Sequence, residues 1–478
     1  MKPTSPRPSE TSSNEEITDP KQAALSPARK VQEPFPSETP PPTHIAQSTM
    51  SIARGRALLL IALLCVVLIN TLNAGAMQFI GPQGWASTLD LSSTNGHANL
   101  LKNVDQQLLQ TPTPGTSSRR VTRITPQQYI DTIVNNMTLD MKLGQMLIVQ
   151  FVGPTYSLDL QSMINQYHVG AVLIFDANQN IVSKAQLKEL VQQMQKNSPL
   201  PLAIATDQEG GYVNRLLKLD GQRPSAASIG ATNNPEQARA VGIQDAQDLS
   251  YYGINLNLAP VIDVDNNSTS ELHLDQRTYG NNPTLVSQMA MAYLQGLQQS
   301  GKVVGTLKHF PGLGAVAVDP HLGVPQLTHT KDQLEQIDWA PYRTLIQQGN
   351  VHAIMVTHEI VTAIDRTQPS TLSSKVVTGI LRNELHYQGV IITDSLTMQS
   401  IIDYVPEDQA AALTIEAGSD LLMGASTPGN VAAMIAGIKQ AIQAGTISEQ
   451  RIDASVRRIL MMKYEMGLLP LPKNSSAS

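Results

Sequence analysis

Between residues 146 and 423 the chain repeats one unit: a short apolar or β-branched run, then a longer stretch with apolar residues at helical spacing. The runs are Met146–Phe151, Gly170–Phe175, Leu202–Thr206, Ile254–Val264, Val303–Phe310, His352–His358, Gly389–Thr393 and Asp420–Met423. Intervening segments such as SKAQLKELVQQMQKN (183–197) and DQLEQIDWAPYRTLIQQG (332–349) read as amphipathic helices. Strands that alternate with helices form parallel sheets buried on both faces. Eight such units predict an α/β chain, a single (β/α)8 barrel of the TIM type, over residues 125–470. Strand count alone leaves a doubly wound open sheet as the alternative. No glycine-rich dinucleotide or phosphate loop follows any run, which counts against it. The barrel opens at Thr125–Pro126, an N-cap followed by proline at the first helical position.

The N-terminal quarter is different material. Ten of the thirty prolines fall within the first 42 residues, among Ser, Thr, Glu and Lys, so residues 1–56 are expected to be disordered. ALLLIALLCVVLINTLNAGAMQFI, residues 57–80, carries no charge and is long enough to span a bilayer. Arg54 and Arg56 flank its start, and no Lys or Arg follows until Lys102. This asymmetry predicts a single-pass anchor with a cytoplasmic N-terminus and an extracellular barrel. The alternative is a signal sequence cleaved after NAGA, giving a secreted protein. Residues 81–124 read as a linker and 471–478 as a tail.

Composition excludes several functions. A net charge of −6 gives no basic surface for nucleic acid. The single cysteine, Cys65, rules out an intramolecular disulfide and a multi-cysteine metal site. His358-Glu359 lacks the second histidine of a zinc-protease helix, and the Asp263 loop lacks the glycine and terminal glutamate of a calcium loop. No serine elbow is present, so no metal, cofactor or acyl-transfer chemistry is expected. Nothing in the sequence sets an oligomeric state.

In a barrel, chemistry belongs where strands end. Here the third run ends at Asp207, the fourth reaches Asp263, and the fifth ends in Lys308-His309. The sixth ends in His358-Glu359 and the seventh at Asp394. Carboxylates, histidines and cations on one rim suit a neutral, hydroxyl-rich substrate such as a sugar. A carboxylate nucleophile and a proton donor would split a glycosidic bond with retention. Asp394 fits the first role. Asp319, His321 or both fit the second, because a carboxylate beside an imidazole stabilises its protonated form.

MTLDMKLGQMLIVQF, ATDQEGGYVNRL, KHFPGLGAVAVDPH and VIITDSLTM, in that order, resemble the signatures of glycoside hydrolase family 3, in its β-N-acetylhexosaminidase branch. The resemblance implies a cofactor-free, retaining exo-enzyme that removes terminal β-linked N-acetylglucosamine (GlcNAc), often from peptidoglycan fragments. By the same resemblance Asp394 is the nucleophile, His321 the general acid/base and Asp319 its partner. Asp207, Arg215, Arg277, Lys308 and His309 are then substrate contacts, and His358, from its strand end, is expected to be another. Three positions depart from the family pattern: Tyr212 and Leu313 stand for an arginine and a histidine, and Pro320 for a serine. They bear on substrate preference. A GlcNAc phosphorylase and a cell-wall-binding barrel without turnover are the competing readings.

Overall fold

The computed structural model describes residues 78–80, 86–88, 100–110 and 124–472. The chain divides into two units, Met1–Leu89 and Asp90–Ser478. In the first, Gln78–Ile80 pairs antiparallel with Ala86–Thr88. The sequence between them, GPQGW, has turn composition. The last three residues of the expected anchor 57–80 are strand; residues 57–77 lie outside the described residues, as does the 1–56 leader. No helix among the described residues is long and apolar enough to cross a membrane.

In the second unit eight parallel strands close into a barrel: β1 (Leu147–Val149), β2 (Ala171–Leu173), β3 (Ala203–Thr206), β4 (Leu256–Asn257), β5 (Val304–Phe310), β6 (Ala353–Val356), β7 (Val390–Ser395) and β8 (Leu421–Met423). Each pairs with the next in sequence, and β8 returns to β1 through Leu422 opposite Leu147. Closure removes the open-sheet alternative. All seven residues of β5 are buried, as expected for a strand covered by side chains inside and helices outside. The fourth strand is much shorter than the run Ile254–Val264. Pro260 has no N–H for the ladder, and past Asn257 regular pairing gives way to single backbone bonds, such as Ile262 N–H to Lys308 O, and an isolated bridge between Val261 and Lys308.

The helices form where caps and periodicity coincide. Thr125 and Gln128 make a reciprocal capping box on Pro126–Asn135. Ser183 caps Lys184–Asn197, whose Leu187, Leu190, Val191 and Met194 are buried. The segment 332–349 is not one helix: a π-helical stretch at Leu334–Asp338 precedes Ala340–Gln348, with Trp339 N–H donating to Leu334 O at 2.7 Å. Helices Pro235–Tyr252 and Pro283–Gln298 pack backbone to backbone through two glycines. A Cβ on Gly242 would lie 2.2 Å from Tyr293 O, and one on Gly296 would lie 2.2 Å from Arg239 O.

The linker reading of 81–124 also needs correction. Leu100–Gln110 is a helix, with Leu100 and Val104 buried in the barrel's core cluster. Its Gln107 accepts from Asn136 at 3.2 Å, and burial together with the charge of its Asp105 raises the Tyr129 phenol above its usual range.

Candidate active site

The strands end around a cavity of about 430 Å³. Leu173, Met355 and Met423 line it from the ends of β2, β6 and β8. Lys308 and His309 reach it from β5, and Asp394 from β7. Asp207 follows β3 directly and leads into a hairpin, Gln208–Gly210 with Val213–Asn214, that brings Glu209 and Arg215 to the same space. One wall is thus strand ends and the other is loop.

A chain of charge crosses the floor. Lys308 Nζ donates to Asp207 Oδ1 and Glu209 Oε1, both at 2.7 Å. Arg277 forks onto Glu209 through Nε and Nη2, each at 2.9 Å, and its Nη1 reaches Glu271 at 2.9 Å. Burial pushes the Glu209 carboxyl up, but Arg277 and Lys308 outweigh it and hold it below the usual carboxylate range. Burial likewise lowers Lys308, and Asp207 and Glu209 more than reverse that. Both cations are therefore fixed as charges. Asp263, at the end of the fourth run, anchors the fifth. Its Oδ2 accepts from the His309 N–H at 3.0 Å and bonds His309 Nδ1 at 2.8 Å, while Oδ1 accepts from Leu313 N–H at 2.7 Å.

Asp394 is 9% exposed and accepts from Ser395 N–H at 2.8 Å and the Thr357 hydroxyl at 3.2 Å. Burial raises its carboxyl; the imidazoles of His358 and His309, the Ser395 N–H and the Lys308 ammonium lower it and prevail. It is held ionised, below the ordinary range. Asp319 and His321 stand on the loop after β5. Asp319 Oδ1 takes both the backbone N–H of His321 and its Nδ1–H, each at 2.8 Å, so Nε2 is the free ring nitrogen.

Of the residues singled out from the sequence, Asp207, Arg215, Arg277, Lys308, His309, His321 and Asp394 line one cavity, with Asp319 bonded behind His321. Arg215 is held beside Asp176 at 3.5 Å and over the Phe175 ring at 4.5 Å. His358 does not line the cavity. It is wholly buried, with Nε2 donating to Ser395 O at 3.0 Å and Nδ1 2.8 Å from the Thr371 hydroxyl. Its place is behind Asp394, and the expectation of a substrate contact is corrected to a backing residue. Glu209 and Glu271 were not singled out; Glu209 sits inside the DQEGG block, two residues after Asp207. Glu271, Asp319 and His321 bring metal-ligand atoms within 4.8 Å of one another. The Arg277 guanidinium already occupies Glu271 Oε1 and disfavours a cation there.

Proton transfer to and from a neutral, hydroxyl-rich ring is what this mouth can do, and the class it defines is the glycoside hydrolases. Residues 138–462 match the family model for the glycosyl hydrolase family 3 N terminal domain, and the chain belongs to that family. It is 34% identical over 329 residues to β-hexosaminidase LpqI of Mycobacterium tuberculosis, covering 67% of this chain and 82% of that protein. It is 31% identical over 344 residues to β-hexosaminidase A of Pseudoalteromonas piscicida, where it covers 67% of this chain but only 56% of the relative. Among solved structures, a family 3 β-N-acetylglucosaminidase from Paenibacillus sp. strain FPU-7 matches with a TM-score of 0.67 and 33% identity, over 72% of this chain and 64% of that one.

Proposed function

We propose that this chain is a retaining exo-β-N-acetylglucosaminidase that releases terminal β-linked GlcNAc from peptidoglycan-derived or related glycans. Asp394 carries the reading: an ionised, rigidly held carboxylate at the end of β7 shares a cavity with an imidazole that has its own carboxylate partner. In the first step an Asp394 oxygen bonds to C1 as the C1–O bond to the leaving group breaks. His321 Nε2–H protonates the departing oxygen. In the second step Nε2 takes a proton from water, whose oxygen displaces Asp394 from C1. Asp319 fixes the His321 tautomer and stabilises the imidazolium that donates in the first step and re-forms in the second; between the steps the ring is neutral. Lys308, Asp207 and Arg277 bind sugar hydroxyls. The names of the β-hexosaminidase relatives support the choice of sugar.

The test is turnover of aryl and alkyl β-GlcNAc glycosides, with and without phosphate. Wild type should release GlcNAc irrespective of phosphate. Asp394→Asn should lose turnover by three orders of magnitude or more, and His321→Ala by about 10²–10⁴-fold on the alkyl glycoside. Wild type that binds GlcNAc and turns over neither glycoside would leave only the binding-barrel reading. Asp394→Asn as active as wild type would remove the nucleophile assignment.

The same reading puts the barrel outside the cytoplasm, anchored or exported through the apolar segment after Arg56. External protease should then digest the barrel on intact cells that express the full chain, and cytoplasmic protection would refute it.

A further inference from the structure

The loop that carries Asp319 and His321 leaves β5 at Phe310 and returns along Gln326–Leu327, which pairs in parallel with Ile360–Val361 after β6. A carboxylate holds each leg. Asp263 accepts the Leu313 N–H and bonds the His309 ring on the outgoing leg. On the return leg Asp338 Oδ2 lies 2.7 Å from His329 Nδ1. Asp338 also abuts the outgoing leg, since a Cβ on Gly312 would meet the Asp338 Cβ at 2.9 Å and its Oδ1 at 3.0 Å.

Glu359 lies between these legs. It is wholly buried, and neither carboxyl oxygen has a hydrogen-bond partner among the described residues. Its main chain is pinned: its carbonyl accepts from the Ser370 N–H at 2.9 Å and the Ser370 hydroxyl at 2.7 Å, and the next residue, Ile360, donates to Pro325 O at 2.9 Å. The side chain faces Asp263 from the loop after β4, Asp338 from the π-helical stretch, Tyr342 from the helix that follows, and the Gly312 amide. His358, its neighbour in the chain, turns away to Ser395 and Thr371. A charge at this place would have neither solvent nor a bonded partner. Burial pushes the Glu359 carboxyl far above its usual range, and the charges of Asp263 and Asp338 add to the rise. The amides of Glu359 and Gly312, too poorly aligned to bond it, offset only part of this.

We propose that Glu359 is a positioning residue for the proton donor: as a neutral acid it separates the two carboxylates that fix the legs of the loop, and a charge on it would force the legs apart and release His321 from the mouth. The consequence for catalysis rests on the reading of His321 as the proton carrier; the latch itself does not.

Glu359→Gln keeps the shape and removes the ionisable proton. Free glutamate titrates at 4.5, so above that pH the unfolded chain loses a proton that the folded chain keeps, and wild type is progressively destabilised. In urea unfolding the stability difference should therefore grow in the variant's favour from about pH 4.5 to about pH 8. Glu359→Met, uncharged and of similar length, should behave alike. The loop is read directly by proteinase K, with cuts inside residues 314–325 located by mass spectrometry. Cutting of wild type relative to the Gln variant should be near one at neutral pH and rise about tenfold for each pH unit past the Glu359 titration, toward pH 10. Wild-type kcat/KM should fall below that of the variant over the same range. A stability difference that does not change with pH means an ionised Glu359 in the fold and overturns the proposal. So does a loop cut equally in wild type and variant at every pH, because the legs then tolerate the charge. Neither readout needs turnover, so an absence of turnover of every β-GlcNAc glycoside refutes the glycosidase reading and not the latch.

Discussion

Glu209 is the residue on which the charge balance of the mouth turns. It is the shared partner of Arg277 and Lys308, and it accepts from both with its two oxygens. Glu209→Gln keeps the shape and removes the charge, leaving two buried cations with only Asp207 and Glu271 between them. Breaking one member of a buried ionic set is expected to cost about 3–5 kcal/mol, read from denaturant unfolding, and kcat/KM should fall with it. No change in either would mean that Asp207 and Glu271 suffice. The sequence points to Asp207 and Lys308 because each closes an apolar run. It does not point to Glu209, whose partners lie far along the chain and meet it only when the barrel closes. His358 shows the converse limit. It stands at a strand end like Asp394, yet its ring bonds to Thr371 and to the Ser395 carbonyl behind Asp394. Sequence position gives the rim; it does not give the side to which a ring turns.

Among the elements, the pair Pro235–Tyr252 and Pro283–Gln298 is the most tightly fitted. Gly242→Ala would put a methyl group 2.2 Å from Tyr293 O, and backbone cannot yield as a side-chain tip can. Overpacking of this kind is expected to cost about 1–3 kcal/mol, seen as a lower melting temperature with kcat/KM retained. A melting temperature equal to wild type would mean that the helices separate at little cost. Helices and strands were legible wherever a cap or a long apolar run announced them, as at Thr125 and Val303–Phe310. Three elements were not. The fourth strand looks long because apolar loop and apolar strand share a composition, and Pro260 ends its ladder early. The helix Leu100–Gln110 hides in polar, Gly- and Ser-rich surroundings, although Leu100, Leu101, Val104 and Leu108 repeat at helical spacing. The π stretch at Leu334–Asp338 leaves apolar periodicity nearly unchanged, so no pattern reports it.

For the whole molecule, one buried cation lies away from the mouth. Lys463, on the final helix Glu449–Glu465, is fully buried with Gln145 Oε1 as its acceptor at 2.7 Å. Burial lowers its ammonium to about 7, against 10.5 for the free side chain. Below pH 7 folded and unfolded chains both carry the proton, and the full penalty of a buried charge falls on the fold. Between pH 7 and 10.5 only the unfolded chain keeps it, so this residue's contribution improves as pH rises; above 10.5 the penalty is gone. Lys463→Met should therefore raise stability by about 1–4 kcal/mol near pH 6, and the gain should shrink toward pH 10. Equal gains at both pH values in urea unfolding would show that packing, not charge, is responsible. The loop bearing Asp319 and His321 stands apart from all of this. Asp263 ties its root at Leu313, and Ser400 holds it at Pro320. Its two ends are locked, Gly314 against the Val264 carbonyl that a Cβ would meet at 1.9 Å and Pro325 by the Ile360 N–H that its carbonyl accepts, while Val318 and Leu322 between them are exposed; the tip can change with the barrel's frame left standing, so what the loop presents and the persistence of the fold are separately heritable.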